Sequence, residues 1–310
     1  LGSGAAAIAT AVMANIKAGD HVICVNKPYS WTQKLIGTFL PRFGVKHSFV
    51  DATDIQQIEA AIRPNTKVLM LESPNSLTYE IQDLAACTAL AKKHQLTTII
   101  DNSYASPYYQ NPIDFGIDIV VHSGSKYLSG HSDIIFGAIC STKAMIGKII
   151  SAEYMTLGPV LSPNDAWLAL RGLRTLRTRL EQSSLSAQKV ISWLKQQEEV
   201  DYVLYPLDPN FDQYELASQQ MRGAGGLFSV NFKERPIEKM EAFSNALADA
   251  FLMAVSWGGY ESLQIPSCVF YRMASKEPPP VPATFVRYYV GLESAEFLIN
   301  KFKQAWHHLL

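Results

Sequence analysis

The sequence predicts an α/β fold on a mostly parallel sheet with a smaller α+β unit after it, and three observations carry that expectation. Short apolar, β-branched runs alternate with helical patterns through the first half. A polar cluster follows the end of nearly every run. Beyond residue 160 the pattern changes to one long helical stretch and then short strand-like pieces. Strands separated by helices pair in parallel, with both faces of the sheet covered.

The elements follow in order. The segment 4–17 has helical composition, and Gly19 is a natural stop beyond it. "HVICV" (21–25) and "VKHSFVD" (45–51) are strands, and "DIQQIEAAI" (54–62) has helical spacing. "KVLMLESP" (67–74) is a strand, "LAACTALAKKH" (84–94) a helix, and "LTTIIDNSY" (96–104) and "IDIVV" (117–121) are strands. Ser162 and Pro163 form a helix start, with serine as cap and proline in the first turn. The helical pattern then runs through residue 197. Strand-like pieces at 226–232 and 284–292, a helical stretch at 238–253 and a loop at 275–283 complete the chain. The expected domains are 1–172 and 173–310.

The 310 residues include 48% hydrophobic and 18% charged side chains, ample for a core. A net charge of -1 gives no reason to expect nucleic acid or an anionic membrane as partner. No apolar run is long enough to span a bilayer. Cys24, Cys87, Cys140 and Cys268 show no CxxC spacing and sit in apolar surroundings, so they are expected to be reduced core residues of a cytoplasmic protein. The chain opens on Leu1 with a glycine loop leading into a helix. Such a loop normally follows a strand, so further native residues are expected before it.

In open α/β sheets, ligands bind beyond the carboxyl ends of the strands. The clusters "NKPYSW" (26–31), "ESPNS" (72–76), "DNSY" (101–104) and "HSGSK" (122–126) should therefore converge on one rim. Lys126 stands among Ser123, Gly124 and Ser125, whose hydroxyls and backbone N–H groups suit a phosphate. An amine beside a phosphate nest is what pyridoxal phosphate requires; the alternative is a solvated surface lysine. Asp101 ends the apolar run "LTTIID", so it is either a turn residue or a buried carboxylate facing a pyridine nitrogen. Tyr29 is placed to stack on a planar ring or simply to pack. Arg287, within "TFVRYYVG", is either half of a structural ion pair or the fork for a substrate carboxylate. "GSGAAAI" (2–8) offers free helix N-terminal N–H groups to an anion. It also fits the dinucleotide pattern GxGxxA, but Asn26 and Lys27 stand where that fingerprint needs an acid. His122 and His131 lack metal-ligand spacing and read as structural.

Taken together, these stretches resemble the Cys/Met-metabolism (transsulfuration) family of pyridoxal-phosphate enzymes over nearly the whole chain. "SGSKYLSGHSD" (123–133) is similar to the family's lysine signature, residues 99–123 to its aspartate segment, and "RGLRTLRTRL" (171–180) to the helix that follows. "ESPNSLTYEI" (72–81) and "SWGGYESL" (256–263) look most like the bacterial β-lyase branch, because Asn75-Ser76-Leu77 stands where γ-lyases and synthases carry Thr-Asn-Pro. The resemblance implies a fold-type I transferase with a seven-stranded sheet. It implies that Lys126 binds the cofactor aldehyde and moves protons, Asp101 pairs with the ring nitrogen, and Tyr29 stacks on the ring. Gly4, Ala5, Ser123 and Ser125 would hold the phosphate. Arg287 would bind the substrate carboxylate, helped by Ser256 and with Trp257 beside it.

The implied activity is cleavage of a small amino-acid thioether, cystathionine, to homocysteine, pyruvate and ammonia, in a cytoplasmic homotetramer serving methionine biosynthesis. Two departures stand against the family pattern. Val255 replaces an aromatic hydroxyl residue before Ser256, and the family's N-terminal Tyr-x-Arg element, which reaches a neighbouring subunit's cofactor, is not in this sequence. The competing readings are a γ-lyase, γ-replacement synthase or cysteine desulfhydrase of the same family, and an inactive scaffold.

Overall fold

Six strands form the first sheet: β1 (His21–Val25), β2 (Lys46–Val50), β3 (Thr66–Glu72), β4 (Thr97–Asp101), β5 (Ile119–Ser123) and β6 (Gly137–Ser141), in the order β2-β1-β3-β4-β5-β6. The computed structural model describes residues 1–273 and 280–310, so much of the expected 275–283 loop lies outside the described residues. β1 to β5 pair in parallel and β6 runs antiparallel to β5. The sheet is thus mostly parallel, with one strand fewer than the seven the resemblance implies. β1 and β3 to β5 are almost wholly buried, which is why they read as continuous apolar runs.

Side-chain caps set the helix starts. In α1 (Gly4–Met13), Ser3 Oγ accepts from the Ala6 N–H at 3.0 Å. α2 (Ser30–Lys34) follows β1. Asp54 caps α3 (Ile55–Ala61) and Asp83 caps α4 (Leu84–Lys93) in the same way. Ser162 caps the helix Pro163–Leu173, with Pro163 in its first turn as expected.

Three expectations need correction. α1 ends at Met13, not at residue 17, because the Lys17 N–H goes to the Asp20 carboxylate at 2.8 Å and turns the chain. The long pattern 163–197 is two helices, Pro163–Leu173 and Leu176–Leu194. Between them the Gly172 carbonyl accepts from the Arg179 guanidinium (2.8 Å) and the Thr175 hydroxyl (3.2 Å). The helical stretch expected over 238–253 stops at Ala246, and Leu252–Met253 becomes a strand.

The second sheet has the order β7-β8-β11-β10-β9, with β7 (Val200–Leu204), β8 (Leu227–Phe232), β9 (Leu252–Met253), β10 (Leu263–Pro266) and β11 (Phe285–Tyr289). One apolar cluster fills the first sheet and its helices. A second surrounds β8 and β11 and takes in Tyr79, Tyr104 and Tyr127 from loops beyond β3, β4 and β5. Cys24, Cys87 and Cys268 are free and buried, whereas Cys140 is exposed because β6 is an edge strand. Among the described residues no helix is long and apolar enough to cross a membrane.

Candidate active site

The carboxyl ends of β1, β3, β4 and β5 open on one cleft, as the rim argument requires. Gly4, Tyr29, Glu72, Asp101, Ser123, Lys126, Trp257 and Arg287 line it. Residues from both sheets and from α1 therefore meet at one place.

Lys126 follows β5 in a tight turn, its N–H donating to the Ser123 carbonyl at 3.2 Å. Its Nζ donates to Ser256 Oγ at 2.6 Å and lies 5.5 Å from the centre of the Trp257 ring. Burial and the nearby Arg287 cation lower the amine's pKa from 10.5 to about 8, against the pull of Asp101. At pH 7 about a tenth of such an amine is neutral, far more than for an ordinary lysine. Gly258 explains how the loop 256–258 reaches this turn. Its φ of +92° suits glycine, and a Cβ there would lie 2.7 Å from the Tyr127 nitrogen.

Asp101 is the last residue of β4 and is buried. Its Oδ1 accepts from the Ser103 N–H at 2.9 Å and the Ser103 hydroxyl at 2.5 Å. The same hydroxyl accepts from the Ser123 N–H at 2.6 Å, so one serine ties the ends of β4 and β5 together. Burial raises the Asp101 pKa, and the Ser103 hydrogen bonds and Lys126 pull it back. Tyr29 is the cap residue of α2 at the rim, 40% exposed, and lines the cleft.

Arg287 settles one alternative. It is buried on β11, yet its guanidinium donates only to backbone oxygens, Ser76 at 2.8 Å and Val255 at 3.3 Å. No ion pair holds it among the described residues, so a buried cation faces the cleft without a counter-charge.

Two residues expected at the phosphate, Ala5 and Ser125, are absent from the lining of this cleft. Ala5 also lines a neighbouring apolar groove with Trp31 and Phe39, while its backbone N–H, the group expected at the phosphate, stays in the first turn of α1 beside Gly4. The Ser125 hydroxyl is engaged with the backbone of Phe136, accepting its N–H at 2.9 Å, and Ser125 does not line the cleft. Ser256 reaches the site through Lys126. Glu72 and Ser103 carried no role in the sequence reading. Glu72 shows the same signal as Asp101, an acid ending an apolar strand. His122 is buried, and His131 bonds the Ser129 carbonyl at 2.6 Å. Among the described residues no group of three or more His, Cys, Asp or Glu is placed to hold a metal.

The cleft fits pyridoxal phosphate on its own geometry. At the start of α1, Gly4 lies so close to Ser123 that a Cβ would come within 2.8 Å of the serine's Cβ and Oγ. That close approach puts unpaired helix N–H groups beside a hydroxyl, which is an anion cradle. An amine, a buried carboxylate and an aromatic ring share the same space.

A family model for Cys/Met metabolism PLP-dependent enzymes matches residues 1–307. The chain belongs to that family. A cystathionine beta-lyase of Bacillus subtilis is 36% identical over 309 residues, 98% of this chain and 78% of the relative. A cystathionine gamma-lyase of the same organism is 35% identical over 311 residues, 99% of this chain and 81% of the relative. An L-methionine gamma-lyase of Pseudomonas putida is 37% identical over 310 residues, 98% of this chain and 77% of the relative. The crystal structure of cystathionine gamma-lyase from Lactobacillus plantarum complexed with L-serine superposes with a TM-score of 0.92 at 35% identity, covering 99% of this chain and 81% of that one. As a member of the Cys/Met metabolism family, the protein is a PLP-dependent carbon–sulfur lyase of the fold-type I class.

Proposed function

We propose that this enzyme is a β-lyase that cleaves cystathionine to homocysteine, pyruvate and ammonia. The observation that carries the amino-acid substrate is Arg287, a buried guanidinium without an acidic partner, lining the same cleft as Lys126 and Asp101. A planar, always-charged fork matches the α-carboxylate of an amino acid. The β-specific part of the reading rests on "ESPNSLTYEI" and "SWGGYESL", since overall identity to beta- and gamma-lyases is nearly equal.

When bound, pyridoxal phosphate supplies an aldehyde that condenses with amines and a cationic ring that takes up negative charge from the substrate's Cα. The start of α1 at Gly4 and the Ser123 hydroxyl would hold the phosphate. Asp101 would hold the proton on the ring nitrogen, its own charge steadied by Ser103. Tyr29 would cover the ring face. Arg287 would orient the substrate so that its Cα–H points at Lys126 Nζ, the base that takes this proton. An amine with a pKa of about 8 can accept a proton at neutral pH and return it to the departing thiol. Ser256 would hold that amine in place between transfers.

The same proposal includes a cytoplasmic homotetramer. Large apolar side chains exposed at Trp31, Phe39 and Phe43, and again at Met155, Leu157 and Trp167, support burial against further copies. Product analysis with cystathionine tests the reaction: pyruvate is expected, and 2-oxobutyrate alone would assign the γ-lyase activity instead. Borohydride reduction followed by peptide mapping tests the site, with the label expected on Lys126.

A further inference from the structure

We infer that Glu72 is a positioning residue of this site, whose carboxylate anchors the backbone of Tyr29 and so fixes the aromatic ring at the mouth of the cleft. The inference rests on the cofactor reading above and adds a residue to it.

Glu72 is the last residue of β3, and its register partner across the sheet is Asp101, the last residue of β4. Both are buried, and both line the cleft. Two carboxyl groups side by side in a low-dielectric site repel each other when both are charged. A sheet would gain by placing an apolar residue at one of the two positions. Glu72 therefore needs a local reason, and its oxygen shows one: Oε2 accepts the Tyr29 N–H at 2.7 Å.

The segment that carries Tyr29 has few other holds. Leaving β1, the chain passes Lys27 in the left-handed region at φ +52°, then Pro28, which has no N–H to donate. Tyr29 is the cap residue of α2, with φ -44° and ψ 133° and no side-chain cap bond. Its N–H points back to β3, where Glu72 takes it. Lys27 is held separately by an ion pair with Glu80 at 2.9 Å. The Glu72 bond thus sets where the 40% exposed ring sits relative to Asp101.

The test uses the full chain and four variants. Glu72→Leu removes the acceptor without opening a cavity, and Glu72→Gln keeps an amide oxygen that can still accept the N–H. Tyr29→Ala and the double variant Tyr29→Ala/Glu72→Leu close a mutant cycle. The readouts are pyridoxal phosphate affinity by equilibrium titration of the cofactor-free protein and the visible circular dichroism per bound cofactor. Glu72→Leu is expected to weaken binding about tenfold and reduce the dichroism. Glu72→Gln should stay within about threefold of wild type, and the double variant should be no worse than Tyr29→Ala alone. A merely structural role would lower the melting temperature and leave affinity and dichroism unchanged, which would overturn the inference. Additive losses in the double variant would overturn it too. If Glu72→Leu does not fold, Glu72→Ala takes its place in the cycle. Wild type that binds no pyridoxal phosphate would overturn the cofactor reading and this inference together. Wild type that binds normally beside an unaffected Glu72→Leu would overturn this inference alone.

Discussion

Lys126 Nζ donates to Ser256 Oγ at 2.6 Å, joining residues 130 positions apart in the chain. The bond brings the second sheet's loop onto the reactive amine of the first, so the site exists only when both sheets are in place. The hydroxyl holds the amine at one point of its arc, where Trp257 and Asp101 also act on it. Removing it should leave cofactor loading intact and slow the proton transfers. Ser256→Ala is expected to lower kcat about tenfold, in line with one lost hydrogen bond to a charged or chargeable group of about 1.5 kcal/mol. Steady-state kinetics alongside the absorption of the bound cofactor checks both halves.

Arg287 is held by two backbone oxygens and lacks an acidic partner among the described residues. Its replacement should therefore act on substrate binding more than on the fold. Arg287→Lys keeps the charge but loses the fork, and Arg287→Met removes the buried charge. Expected losses in kcat/KM are about 2–5 kcal/mol for Met and less for Lys, mostly as raised KM. An amino-acid substrate whose carboxylate is amidated should be equally poor for wild type and Arg287→Met. Such a result locates the loss at the carboxylate.

The meeting of Lys126, Asp101 and Tyr29 in one cleft was legible because each ends or follows an apolar strand, and Arg287 stood out as a charge on a buried strand. Strand ends also predicted the common rim, since parallel strands all present the same end. What escaped depends on contacts made across the fold. The break at 174–175 is set by Arg179 reaching back to Gly172, and helical periodicity does not register it. The hydroxyls of Ser123 and Ser125 are equivalent in sequence. The backbone of Phe136, 11 residues further on, engages the Ser125 hydroxyl, a contact that the local sequence does not register. β6 was not anticipated although it lies in the apolar run "IIFGAIC" (134–140), which has no helix between it and the turn after β5 to mark it as a separate strand. Glu72 had the same signature as Asp101, but its partner is a backbone N–H from another strand's loop.

Gly4 gives a steric prediction. A methyl group there meets Ser123 Cβ, Oγ and Cα at 2.8–2.9 Å, closer than carbon atoms pack, and the last of these is backbone. Either the start of α1 or the end of β5 must move, and the anion cradle lies between them. Gly4→Ala is expected to weaken pyridoxal phosphate binding by at least tenfold while the cofactor-free protein keeps its helical content. Equilibrium titration and far-ultraviolet circular dichroism measure the two quantities.

The Glu72–Asp101 pair makes stability depend on pH with a sign opposite to that of most carboxylates. Burial, then the Asp101 charge, raise the Glu72 pKa from 4.5 to about 8, although the Tyr29 and Ser76 N–H groups pull it down. A raised folded-state pKa means that the folded protein keeps a proton which the unfolded chain has released. Its contribution is fully present below pH 4.5 and is lost as pH rises toward 8. Below pH 6.5 buried His21 and His122, both lowered to about 4, act the other way, because they must charge on unfolding. Between pH 6.5 and 8 the histidines of the unfolded chain give up their remaining protons, and the folded-state Lys126 amine, lowered to about 8, begins to lose its own. Both oppose Glu72, whose contribution is read as the difference between wild type and a variant. Relative to Glu72→Gln, cofactor-free wild type should lose up to about 1.4 kcal/mol of stability per pH unit in this window. Glu72→Gln carries no titrating proton at this position and lacks that falling contribution. Denaturant unfolding at pH 6.5, 7.25 and 8.0 compares the two proteins, and equal slopes would mean that Glu72 is already ionised in the folded chain.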